Sequence, residues 1–169
     1  MYRKYLFFDL DGTLTDPMQG ITRSVQYALR HFGIEVADLR ELCPFIGPPL
    51  ADSFKERYGM TDAEAETAVA KYREYYAPKG IFENDIYPGI PELLAATAAA
   101  GCVNVMATSK PTPFAERIAE HFGFARYFRL VSGRQHARRH AHDQIRRDPP
   151  RPRHAGGRPA GGRDDRRPP

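Results

Sequence analysis

An apolar run, Tyr5-Leu6-Phe7-Phe8, ends in two aspartates separated by a single leucine, Asp9 and Asp11, followed at once by Gly12. A short aromatic-rich run bounded by turn residues predicts a parallel strand buried on both faces. The acids then stand at its carboxyl end, which in open α/β sheets is where ligands bind. Two carboxylates projecting there suit a divalent cation better than a packed core. Gly12 lets the backbone turn sharply beside them.

The pattern Asp9-Leu10-Asp11-Gly12-Thr13, with Asp16 shortly after, resembles the first motif of the haloacid dehalogenase superfamily of phosphohydrolases. The bland alternative is an acidic turn capping an ordinary strand. The resemblance implies an Asp9 nucleophile that attacks phosphorus to give an aspartyl phosphate, and an Asp11 that serves as general acid and then base. It also assigns Gly12 and Thr13 to the phosphate. A phosphate ester needs an in-line nucleophile, a proton for the leaving oxygen and positive charge against its own anionic oxygens. Mg²⁺ on the Asp9 carboxylate and the Asp11 backbone carbonyl would hold Asp9 ionised and draw the phosphate in. That leaves the Asp11 side chain free to carry a proton.

A chain of 169 residues is long enough for one domain with a sizeable core and an inserted subdomain. No apolar run is long enough to span a membrane, and Met1 to Lys4 lead straight into a strand too short for the core of a signal peptide. The expected location is the cytoplasm. Cys43 and Cys102 have neither metal-ligand spacing nor a disulfide framework, and both read as free thiols.

After Asp16 the pattern turns helical. Pro17 suits the start of a helix, and Ile21, Val25, Leu29 and Phe32 follow at helical spacing up to Gly33. A second helix begins at Thr61, where Thr61 and Glu64 form a capping-box pattern, and continues through Val69, Tyr72 and Tyr76. The segment FIGPPL at 45–50 reads as a turn between them. Residues 17–82 offer no strand candidate, so they read as a helical cap inserted into a discontinuous core of residues 1–16 and 83–133. An insertion at this point resembles the capped subgroup that includes the phosphoglycolate phosphatases. The fold expected is α/β: a Rossmann-like parallel sheet, an incomplete superfamily core, with an inserted α-helical cap and a disordered basic tail.

Pro91 opens a further helix that Gly101 closes, and Val103 to Met106 form a second strand whose carboxyl end delivers Thr108, Ser109 and Lys110. Hydroxyl and backbone donors there, before a helix starting near Thr112, can cradle phosphate. In the family the hydroxyl at this strand's end binds the phosphoryl group; the resemblance gives that role to Thr108, with Ser109 and Lys110 beside it. A helix over Pro113–Phe122, ended by Gly123, leads to a third strand at Tyr127–Val131. His31 and His121 each precede Phe-Gly at a helix end, where a favourable dipole interaction accounts for them. Tyr72, Tyr75 and Tyr76 read as cap packing, and Ile46 and Gly47 as turn residues with a secondary claim on the substrate.

The net charge of +4 is unevenly spread: residues 134–169 hold 11 Arg and four Asp, a net of +7, leaving 14 basic and 17 acidic residues in 1–133, a net of −3. This segment also holds six Pro, four Gly and one large aliphatic residue, Ile145, and no core strand can be built from it. Binding of nucleic acid through its arginines lacks interleaved aromatics, zinc spacing and a basic amphipathic helix. The lysine and the acidic Gly-Asp motif that the family places after the third strand are both missing. Arg, Pro, Gly and Ala in bulk are what a GC-rich gene yields out of frame. A one-base shift over permitted codons turns His140 to Asp148 into Thr-His-Thr-Ile-Lys-Ser-Asp-Ala-Ile, restoring a lysine. The same shift lets Asp164 to Arg167 spell Met-Ile-Val-Gly.

These readings converge on a Mg²⁺-dependent phosphomonoesterase of phosphoglycolate phosphatase type acting on a small phosphorylated metabolite. A 5′-nucleotidase is the alternative, and a polyanion-binding protein the reading from another class. No membrane partner is implied, the oligomeric state is open, and this chain is expected to be impaired or inactive. Sequencing the gene past the Gly133 codon is expected to show the shifted frame running on to a Gly-Asp motif. An early stop, or no such motif, overturns the frameshift.

Overall fold

The computed structural model describes residues 4–134. The tail and frameshift readings therefore lie outside the described residues, apart from Arg134. In chain order the elements are β1 (Tyr5–Phe8), β2 (Thr15–Asp16), α1 (Met18–Arg30), α2 (Leu50–Tyr58), α3 (Asp62–Tyr76), β3 (Asp85–Ile86), α4 (Ile90–Ala99), β4 (Val103–Ala107), α5 (Thr112–His121) and β5 (Phe128–Ser132). Short 3-10 segments occupy Leu39–Phe45, Gly80–Phe82 and Ala125–Tyr127.

Three strands form a parallel sheet in the order β1-β4-β5, with Tyr5 opposite Val103 and Phe8 opposite Met106. Helices α4 and α5 supply the connections into β4 and β5, as parallel pairing requires. Val103, Asn104, Val105 and Met106 of the central strand are all buried, the pattern of a strand covered on both faces. The two-residue strands β2 and β3 pair antiparallel, Thr15 with Ile86 and Asp16 with Asp85, and close the entry and exit of the intervening helices on each other.

Those helices form as their patterns dictate. The buried stripe of α1 is Ile21, Val25, Ala28 and Leu29. In α3 the capping box is complete: Thr61 N–H donates to Glu64 Oε2 at 2.8 Å and Glu64 N–H to Thr61 Oγ1 at 3.3 Å. Helix α2, by contrast, departs from the sequence reading, which has no helix between FIGPPL and Thr61. It buries only Ser53 and Phe54, too few positions to show a helical period, and Pro48 and Pro49 immediately before it mask the start. Its end is ordinary, at Gly59 with φ of 65°. The hydrophobic core runs unbroken from Leu10, Leu94, Met106 and Ile118 beside the sheet to Phe45 and Phe54 in the helical insertion. There the last two rings lie 4.9 Å apart.

One expectation is corrected. Strand β1 is not buried on both faces: Tyr5 is 40% and Phe7 63% exposed. Among the described residues β1 pairs only with β4, so it is an edge strand, and no described element covers the face to which Tyr5 and Phe7 point. An apolar edge of this kind is a template for intermolecular pairing. Phe7→Lys is expected to suppress aggregation, read as lower light scattering on concentration. Its effect on thermal stability should stay within about 0.5 kcal/mol, as for other exposed substitutions.

Candidate active site

The site grows from the carboxyl ends of two adjacent parallel strands. At the end of β1 the chain folds into a tight turn, with Gly12 N–H donating to Thr15 O at 2.8 Å and Leu14 N–H to Leu10 O at 2.9 Å. Gly12 takes φ of 78°, a conformation unstrained only for glycine. Leu10 and Leu14 are fully buried and anchor the turn from below, which leaves Asp9, Gly12 and Thr13 exposed and Asp11 half-buried. Asp9 Oδ1 accepts from Leu10 N–H at 2.7 Å.

At the end of β4 the chain places Thr108, Ser109 and Lys110 beside this turn. Thr108 and Lys110 are buried, and Lys110 N–H donates to Thr108 Oγ1 at 3.2 Å. The loop is braced by the end of β5: Thr108 N–H donates to Ser132 O at 3.0 Å, Gly133 N–H to Thr112 Oγ1 at 3.0 Å and Arg134 N–H to Lys110 O at 3.1 Å. Gly133 lies so close that a Cβ there would collide with the Lys110 carbonyl and the Thr112 amide.

Lys110 is the hub. Its Nζ lies 2.8 Å from Asp11 Oδ2 and donates to the Tyr76 hydroxyl at 2.7 Å. Tyr76 belongs to α3 in the helical insertion, where it stacks on Tyr72 at 5.1 Å and meets the edge of Phe114 at 5.4 Å. Burial pushes the Asp11 carboxyl above its ordinary range; the neighbouring Lys110 ammonium opposes this and the Asp9 carboxylate adds a little to it. Burial acts to lower Lys110, but Tyr76 and Asp11 outweigh it and the ammonium is held more firmly than usual. Burial raises both phenols, that of Tyr72 well above its ordinary value.

A cavity of about 640 Å³ opens between this floor and the helices. Asp11, Ser109 and Lys110 line it, whereas Asp9, Gly12, Thr13 and Thr108 lie outside its lining. Sequence reasoning missed its other wall: Tyr72, Tyr76 and Arg73 from α3. Tyr72 and Tyr76 do pack, being 5% and 3% exposed, yet both also face the cavity. Gly47 lines it as well, together with Pro48 and Pro49, but Ile46 does not. His121, at the end of α5, meets the Phe82 ring in a tilted contact at 4.6 Å and is not part of this lining.

The donor chemistry fits Mg²⁺ in part. Asp9 and Asp11 offer hard oxygen ligands, and Asp11 Oδ1 is buried with no hydrogen-bond partner among the described residues. Mg²⁺ is commonly held by one or two carboxylates, with water and substrate phosphate completing the octahedron. No third His, Cys, Asp or Glu joins them in a cluster among the described residues.

The sequence profile of the family described as haloacid dehalogenase-like hydrolase matches residues 6–147. The chain belongs to that family. It is 52% identical over 128 residues to a 5′-nucleotidase of Pseudomonas aeruginosa, covering 76% of this chain and 58% of that protein. It is 35% identical over 132 residues to a phosphoglycolate phosphatase of Yersinia pseudotuberculosis, covering 75% of this chain and 56% of that protein. The crystal structure of a predicted phosphatase from Clostridium acetobutylicum superimposes with a TM-score of 0.74 at 48% identity, covering 79% of this chain and 62% of that one. The chain thus spans less than two thirds of the length of these relatives. No helix among the described residues is long and apolar enough to cross a membrane.

Removing one partner of a buried ion pair strands the other, at a cost of about 3–5 kcal/mol. Lys110→Met is therefore expected to lower the melting temperature by roughly 10 °C. Asp11 already sits above its unfolded value, so its protonated form contributes stability at low pH that is lost as pH rises through the folded pKa. Without Lys110 that upward displacement grows, and the variant's deficit should be smaller at about pH 5 than at about pH 8. Thermal unfolding of both proteins at the two pH values checks this.

Proposed function

We propose that this chain carries the nucleophile half of a Mg²⁺-dependent phosphomonoester hydrolase acting through an aspartyl phosphate. The observation that supports this most is the convergence of Asp9 and Asp11 with Thr108, Ser109 and Lys110 at the ends of two adjacent parallel strands, beneath a cavity large enough for a metabolite. Exposed Asp9 attacks phosphorus through a carboxylate oxygen while Asp11 passes its proton to the departing alkoxide, and the P–O ester bond breaks. Water then attacks the aspartyl phosphate, Asp11 takes the proton back, and inorganic phosphate leaves. Burial raises the Asp11 carboxyl from its ordinary range, the direction that favours an acid role. Lys110, with Ser109 and the amides beside it, offers positive charge and donors to the phosphoryl oxygens. Mg²⁺ on Asp9 and the Asp11 carbonyl would supply further charge neutralisation.

Of the two substrate classes, a nucleoside monophosphate fits better than phosphoglycolate. A cavity of about 640 Å³ with Phe45, Leu50, Val69 and Tyr72 in its wall gives a ribose and base apolar surface to cover. A two-carbon acid would leave most of it to water. The relative named 5′-nucleotidase, at 52% identity, supports the same choice.

Turnover by this chain is proposed to be weak, because the lysine and Gly-Asp motif that the family places after the third strand are missing from residues 134–169 and no third acid joins Asp9 and Asp11 among the described residues. With Mg²⁺ and UMP, phosphate release is expected to be about 100-fold or more below that of an intact relative. Asp9→Asn should abolish what remains. Release that survives Asp9→Asn would refute the assignment of the nucleophile, and release at the relative's rate would refute the impairment.

A further inference from the structure

Arg73 stands in the cavity wall on α3, exposed, and its guanidinium has no acid or hydrogen-bond partner among the described residues. Three other cations of this region have acid partners, while Arg134, after β5, lines the same cavity. Lys71 on the same helix is held by Glu74 at 2.9 Å, Lys110 by Asp11 at 2.8 Å and Lys55 by Asp62 at 3.1 Å. Asp52, an acid that also lines the cavity, has Lys55 at 3.6 Å. An unpaired guanidinium facing a cavity is a donor waiting for an acceptor, because Arg carries five N–H donors and no acceptor.

Its place on the helix says which end of a ligand it meets. Tyr76 marks the phosphoryl end, since its hydroxyl touches Lys110. Arg73 lies three residues earlier, on the same face and about 4.5 Å further along the axis. Val69 and Tyr72, which also line the cavity, offer apolar and aromatic surface for a ring beside it. A ligand with its phosphate on Lys110 and its long axis along α3 would bring the groups beyond the phosphate to Arg73.

Resting on the nucleotide reading above, we infer that Arg73 is a specificity-determining residue that selects nucleoside 5′-monophosphates whose base presents a carbonyl acceptor. Guanine offers the O6 and N7 acceptors that a guanidinium binds with two hydrogen bonds, and uracil offers O4. Adenine and cytosine place an amino donor at the corresponding position, which a donor-only group cannot satisfy. The pairs GMP with AMP and UMP with CMP therefore isolate the effect at constant ring size.

Titration calorimetry of the full 169-residue chain with Mg²⁺ tests this without depending on turnover. GMP is expected to bind about tenfold more tightly than AMP, and UMP about tenfold more tightly than CMP. In Arg73→Gln both ratios should fall to about one. In Arg73→Lys, which keeps the charge but loses the planar fork, they should fall below about threefold. Arg73 is exposed, and an unchanged melting curve for Arg73→Gln ties a lost ratio to recognition rather than unfolding. Ratios near one in the unmodified chain, or ratios unchanged in Arg73→Gln, overturn the inference. Binding of inorganic phosphate and phosphoglycolate with no base preference overturns it alone and leaves the phosphomonoesterase reading standing. Failure of every phosphomonoester and of inorganic phosphate to bind overturns both.

Discussion

Parallel pairing of β1 with β4, in the register that sets Phe8 opposite Met106, is the constraint from which the site follows. It brings the turn after Phe8 and the loop after Ala107 to the same edge of the sheet. Only then can Lys110 Nζ reach Asp11 Oδ2 at 2.8 Å. A buried ammonium needs more than one partner to offset its lost hydration, and the second comes from the helices, as the Tyr76 hydroxyl at 2.7 Å. One side chain therefore ties the acid of the first strand, the loop of the second and the inserted helices together.

That arrangement couples stability to chemistry. Asp11 is buried enough for its proton to be held above the ordinary range, which suits an acid, yet it stands beside a cation that keeps the buried charge tolerable. Asp9, two residues earlier and directly after β1, stays exposed, while the next side chain, Leu10, fills the core. In the mechanism proposed, environment gives the two aspartates of one short motif different tasks, as it does where paired carboxylates divide nucleophilic and acid work.

The exposed face of β1 is the counterpart of this. An apolar strand at the edge of a three-stranded parallel sheet is unusual, since parallel sheets are ordinarily covered on both faces. Phe7 at 63% exposure is a residue whose composition calls for cover that no described element supplies. The relatives are longer than the length matched here, and the sequence after Gly133 turns to Arg, Pro and Gly.

Much was legible in the sequence because it depends on local order. Strand–acid–acid–Gly at residues 5–12, the capping box at Thr61 and Glu64, and the apolar run before Thr108 announce their elements through periodicity, caps and turns, and these pointed to the family. Helix α2 is hidden because two buried positions give no period; the aromatic run of β1 reads as covered on both faces, whereas the absence of the family's last acidic motif already points to the exposed apolar edge that β1 forms among the described residues. Residue type and spacing alone single out the side chains proposed for phosphoryl chemistry, because both are written in the local order of the chain. Packing alone pairs Lys110 with Asp11 and sets Tyr72, Arg73 and Tyr76 in the wall of the cavity beside them. Those contacts join positions 34 or more residues apart, and only packing brings such positions together.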